Sequence, residues 1–168
     1  MNDKNQSLLS IIISNALVAA TYVVLNVISS PIAFGPIQFR IAEIMMVFPF
    51  FNKRYAYGVV LGCLIANLMS PFMIFDIVFG TLATALACVG VMFCKHLIVA
   101  VMIPVICNAF IVAAVLTTIG EPYWLSVLTV GAGELAVMTA TYILFMIIKK
   151  NKMFFKQIHA NQNVDFKF

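Results

Sequence analysis

The chain has 168 residues, 64% of them hydrophobic and only 10% charged, with a mean hydropathy of +1.08 and a formal net charge of +4. Soluble domains run nearer half apolar and a quarter charged, so this is the composition of an integral membrane protein. At this length it is one helical domain without room for a separate soluble catalytic module. The basic residues sit in a few turns and at the C-terminus, which reads as membrane topology and not as nucleic-acid binding.

In chain order, Met1–Ser7 is polar and a first helix is expected over Leu8–Ile28, long enough to cross the hydrocarbon. Its apolar run continues past Ala16–Ala20 without a clean exit into a polar mature chain, so it reads as a retained helix and not a cleaved signal. Ser29–Pro36, with Pro31, Gly35 and Pro36, is expected to be a loop. A second helix over Gln38–Phe51 would rise only ~21 Å against an apolar core of ~30 Å. Helices are then expected at Tyr55–Met69, Met73–Cys94, Leu97–Thr117 and Trp124–Ile148, separated by short turns. Two stripes of small residues, Ala16-x-x-x-Ala20 and Gly58-x-x-x-Gly62-x-x-x-Ala66, allow close helix contact. The fold class is therefore an all-α membrane bundle of six spans, with a transmembrane domain over residues 1–150. Residues 151–168 read as a basic cytoplasmic tail that projects from the membrane.

Six spans put both termini on one side. With that side cytoplasmic, nine of the ten basic residues lie inside: Lys4, Lys53, Arg54, Lys95, Lys149, Lys150, Lys152, Lys156 and Lys167. The exception is Arg40. The four cysteines are scattered in apolar runs with no C-x-x-C, so they read as small buried hydrophobes and no metal or cofactor is expected.

Ionisable groups inside apolar runs are costly unless paired or hydrated, and so are functional candidates. They are Arg40 and Glu43, three apart and able to pair on a helix, with Asp76 and Glu134. Gln38, Asn67 and Asn108 are the accompanying polar groups, and Tyr123 and Trp124 are aromatic candidates for a ligand platform. By depth these groups fall in the outer half of the membrane or at its centre, which describes a pocket open to the outside and not a polar path through the bilayer. Each also has a structural reading: an Arg40–Glu43 ion pair, Asp76 as a helix cap, Asn67 and Asn108 as interhelical glue, Tyr123 and Trp124 as interface aromatics. The charges of Arg40, Glu43, Asp76 and Glu134 sum to −2, which suits a ligand rich in N–H donors or carrying positive charge. No nucleophile–base pair or His-rich metal set is present to support an intramembrane enzyme. A stand-alone carrier would want polar groups through the inner half, or inverted repeats.

Three stretches carry a resemblance: IQFRIAEIMMVFP at Ile37–Pro49, GCLIANLMSP at Gly62–Pro71 and DIVFGTLAT at Asp76–Thr84. The chain resembles the QueT family of substrate-binding (S) components of energy-coupling factor transporters over about Leu8–Ile148. The resemblance implies a multi-pass protein of the bacterial cell membrane that binds a vitamin or similar molecule near the outer face. It further implies docking on a transmembrane coupling protein, EcfT, which sits on two ATPases, through the Ala16 and Ala20 face. ATP hydrolysis would belong to those partners, since this chain has no phosphate-binding loop of its own. The ligand implied is a queuosine precursor, a 7-deazaguanine, with cobalamin or another vitamin as the alternative. On that reading Glu134 or Glu43 accepts from the guanine-like edge. Asp76 or a second carboxylate pairs with a cationic substituent, Arg40, Gln38, Asn67 or Asn108 donates to the ring carbonyl, and Phe34, Tyr123 or Trp124 stacks on the flat base.

Overall fold

A computed structural model describes residues 8–33, 38–71, 73–158 and 160. Among them the chain is helical, without a strand. The helices are α1 (Leu8–Ala33), α2 (Ile41–Phe51), α3 (Tyr55–Asn67), α4 (Asp76–Met92), α5 (Leu97–Thr117), α6 (Tyr123–Ile148) and the short α7 (Lys152–Gln157). Three of them, α1, α5 and α6, with 26, 21 and 26 residues, are long and apolar enough to cross a membrane; α2, α3 and α4 are apolar but shorter.

The packing order is α1–α3–α4–α5–α6, and α2 touches all five. The sequence of α2 dictates this place. Ala42, Glu43, Met45, Met46, Val47, Pro49, Phe50 and Phe51 are all buried and Ile41, Ile44 and Phe48 are half-buried, so the helix lies largely inside the bundle. Its first seven residues, Ile41–Val47, wind as a 3-10 helix and only Phe48–Phe51 are α-helical. The tighter winding rises about 2.0 Å per residue against about 1.5 Å, so eleven residues reach ~20 Å. The shortfall expected against an apolar core of ~30 Å therefore remains.

Small residues bring the α1 and α3 backbones together. A Cβ on Gly58 would stand 2.7 Å from the Asn15 carbonyl oxygen, and one on Gly62 would stand 2.7 Å from Tyr22 Cβ and 3.0 Å from Ala19 Cα. The Gly58–Gly62–Ala66 stripe is thus a packing face, as its spacing predicts. Asn15 fixes the crossing further, its Oδ1 accepting from the Gly58 amide at 2.7 Å. Ala16 and Ala20 are exposed on the opposite side of α1.

Two expectations are corrected. α1 does not stop at Ile28 but runs to Ala33 with Pro31 in its last turn. There the missing N–H costs one bond, while the Phe39 amide satisfies the Ile32 carbonyl at 3.1 Å. The chain after Ile148 does not simply project. Asn151 accepts from the Phe154 amide at 3.1 Å, capping α7. Phe154 and Phe155 then turn onto Phe145 and Phe51, with ring centroids 6.1 and 5.2 Å apart. Aromatic burial holds this segment under the bundle, and Lys152 and Lys156 stay exposed.

That end of the bundle also gathers the basic turns. Lys53 Nζ lies 5.1 Å from the Phe93 ring, joining the α2–α3 turn to the α4–α5 turn. The outward faces of the long helices are apolar, with Leu8, Leu17, Ile28, Ile106, Leu128 and Ile147 all exposed.

Gly62→Val is expected to force α1 off α3 and to destabilise the protein by at least ~1–3 kcal/mol, as overpacking does. Leu61→Ala on the exposed side should change stability by no more than about 0.5 kcal/mol. Thermal unfolding of the two purified variants in detergent checks both.

Candidate functional site

The polar residues fall into two connected clusters. The first lies where the 38–40 segment meets the end of α3 and the start of α4. Arg40 is buried and pairs with Asp76, its Nη2 3.7 Å from Oδ2, and donates to Asn67 Oδ1 at 3.4 Å. Asp76 also accepts from the Ser70 hydroxyl. The Asn67 amide donates to the Asp76 backbone carbonyl at 2.7 Å and to Thr81 Oγ1 at 3.2 Å. This explains a local feature of α4. Asp76–Gly80 winds as a π-helical turn, and such turns arise where a group inserts into the backbone ladder. Gly80 makes the insertion possible, since a Cβ there would stand 3.1 Å from Asn67 Nδ2.

The second cluster lies deeper, around α2. Glu43 is 0% exposed and Glu134 and Asn108 each 1%. Tyr22 of α1 donates its hydroxyl to Glu43 Oε1 at 3.0 Å. Asn108 of α5 donates to Glu134 Oε1 of α6 at 2.8 Å, and its side chain interacts with Glu43 as well. The two carboxylates feel each other's charge and that of Arg40. Three acceptor atoms have no hydrogen-bond partner among the described residues: Glu43 Oε2, Glu134 Oε2 and Asn108 Oδ1. Cys63 joins the clusters, receiving Asn67 Nδ2 at 3.4 Å and hydrogen-bonding Tyr22, and it lies 3.2 Å from Thr84 Oγ1.

The expected Arg40–Glu43 pair is replaced by a different arrangement. Because α2 starts at Ile41, Arg40 precedes the helix and reaches across to Asp76, while Glu43 receives Tyr22. Arg40 still acts on Glu43 electrostatically. Gln38 is buried, and its backbone lies directly on Gly133, where a Cβ would stand 2.6 Å from the Gln38 carbonyl oxygen. That contact seats the 38–40 segment beside Glu134. Asn67, Asp76, Asn108 and Glu134 are thus all brought into the network with Arg40 and Glu43.

Tyr123 and Trp124 are not brought to the carboxylates. Their rings meet edge-on at 5.2 Å, Trp124 is 71% exposed, and Glu134 lies about 15 Å further along α6. Phe34 lies outside the described residues. Sequence reasoning missed Tyr22, Ser70, Cys63, Thr81 and Thr84. A signal for Tyr22 exists: Asn15, Tyr22, Asn26 and Ser29 fall at helical spacing on one side of α1, a polar stripe in an apolar helix.

The chain matches the family described as QueT transporter over residues 12–150. The chain belongs to the QueT transporter family. A 75-residue stretch is 44% identical to the queuosine precursor transporter QueT of Lactococcus lactis subsp. cremoris (strain MG1363). It covers 44% of this chain and 44% of that relative, so the match spans less than half the length of each. No solved structure matches the chain significantly.

Within this member of the QueT family, the Arg40–Asp76 pair holds the 38–40 segment to α3 and α4. Arg40→Met alone leaves a buried carboxylate uncompensated and is expected to destabilise the protein by ~3–5 kcal/mol, whereas Arg40→Met with Asp76→Leu should recover most of that loss. Denaturation of the single and double variants in detergent measures the difference.

Proposed function

We propose that the chain is the substrate-binding (S) component of an energy-coupling factor importer in the bacterial cell membrane, and that its ligand is a 7-deazaguanine precursor of queuosine. α1 to α6 are its six spans, and both termini are cytoplasmic. The clustering of Lys53, Lys95 and the α6–α7 lysines toward one end supports this orientation. Energy comes from an EcfT-type coupling protein and two ATPases, and the exposed Ala16–Ala20 face of α1 is the surface offered to that coupling protein.

The observation that carries the ligand reading is the trio of buried acceptor oxygens on α2, α5 and α6. Buried polar atoms without partners are costly, so a site that keeps three of them suits a molecule that brings donors. A guanine-like base presents a ring N–H and an amino group on one edge. A phosphorylated ligand would be repelled by Glu43 and Glu134. Asp76, already bound by Arg40 and Ser70, is a holder of the segment, and the ligand's donors fall to Glu43, Asn108 and Glu134.

Calorimetry on the purified chain in detergent tests the ligand, using 7-aminomethyl-7-deazaguanine, 7-cyano-7-deazaguanine, queuine and cobalamin. Tight binding of a deazaguanine is expected. Binding of cobalamin alone keeps an S component but discards the base-edge chemistry, and binding of none overturns the ligand assignment. Ala16→Trp or Ala20→Trp should weaken co-purification with EcfT and leave ligand affinity unchanged; unaltered co-purification would move the docking face elsewhere.

A further inference from the structure

We propose that Tyr22 is the positioning residue that gives this site its selectivity for a planar ligand edge with adjacent N–H donors; the inference rests on the importer reading above. The two carboxylates are arranged alike. Each is held by one oxygen and presents the other. Tyr22 holds Glu43 through Oε1 at 3.0 Å and leaves Oε2 unpartnered. Asn108 holds Glu134 through Oε1 at 2.8 Å and leaves Oε2 unpartnered, together with its own Oδ1. The two holders come from different helices, α1 and α5, so the presented atoms are fixed by the packing of α1, α2, α5 and α6 and not by one local turn.

The chemistry of the presented set is one-sided. All three atoms are acceptors, so the complementary group must supply donors. An amidine-like edge does so, as does the edge of a 2-aminopyrimidin-4-one, where the amino group adjoins a ring N–H. A carboxylate has two equivalent acceptor oxygens and can rotate about its terminal torsion. Without the Tyr22 hydroxyl, Glu43 keeps only its contact with Asn108, and its plane can turn and meet a ligand in several orientations. The hydroxyl removes that freedom, and Tyr22 is itself held at 2% exposure with its Cβ packed on Gly62. Phenylalanine keeps the ring and deletes the hydroxyl's contacts with Glu43 and Cys63.

Two probes that differ by one amino group read this directly: 7-deazaguanine and 7-deazahypoxanthine, titrated into the full-length chain in detergent. A site built around hydrogen bonds rejects an analogue lacking the donor, and unmodified protein should prefer 7-deazaguanine by at least roughly 100-fold. Tyr22→Phe should weaken 7-deazaguanine by roughly 10-fold and leave 7-deazahypoxanthine nearly unchanged, so that the preference shrinks. Glu43→Gln, which replaces a presented acceptor, should shrink it as well and serves in place of Tyr22→Phe should that variant not fold. Equal binding of both probes by the unmodified protein overturns the donor-edge selectivity and leaves the importer reading standing. An unchanged preference in Tyr22→Phe, or equal weakening of both probes, overturns the role of Tyr22. Binding of neither probe by the unmodified protein overturns the deazaguanine assignment and this inference with it.

Discussion

A charge removed from water must be compensated, and this chain buries four ionisable side chains: Arg40, Glu43, Asp76 and Glu134. The structure compensates them unequally. Arg40 and Asp76 answer each other, with Asn67 and Ser70 supplying further hydrogen bonds. Glu43 and Glu134 are each held by a neutral donor through one oxygen only. The first pair closes a connection between three parts of the chain, while the second leaves acceptor capacity at the centre of the bundle. That difference separates groups that hold the fold from groups that face the proposed ligand.

The packing that produces this arrangement depends on α2. It is buried over most of its surface, so most residues that extend from it meet another helix. Its 3-10 start brings Glu43 and Met46 into line, since residues three apart eclipse in that winding. Glycines then decide how closely the neighbours approach. Gly62 admits Tyr22, Gly80 admits Asn67, and Gly133 admits the Gln38 backbone. Each is a place where a side chain would push a polar partner out of reach, so the polar network and the small-residue contacts are one construction.

The division also gives the proposed importer a physical economy. A binding subunit that hands its ligand on must hold it through atoms the protein does not itself satisfy, on a scaffold that is satisfied elsewhere. The lower end of the bundle meets the second requirement through Phe51, Phe145, Phe154 and Phe155. There α7 folds back and closes the aromatic core beneath the basic turns.

The sequence by itself determined the helical class, the six apolar segments, the small-residue packing face of α3 and most of the polar residues of the network. These follow from composition and spacing, because apolar runs must be helical where backbone groups lack water and because Gly and Ala repeats allow close approach. The same residues carry the family resemblance that the match over residues 12–150 bears out. Only the tertiary structure decided the partners. Arg40 chose Asp76 over Glu43 because α2 begins one residue after it. Tyr22 entered the site because Gly62 lets α1 lie close to α3, and Tyr123 and Trp124 stayed apart because α6 carries them away from Glu134. Spacing along the chain fixes which residues share a helical face, but which faces meet is set by long-range packing, and a sequence read one segment at a time does not contain it.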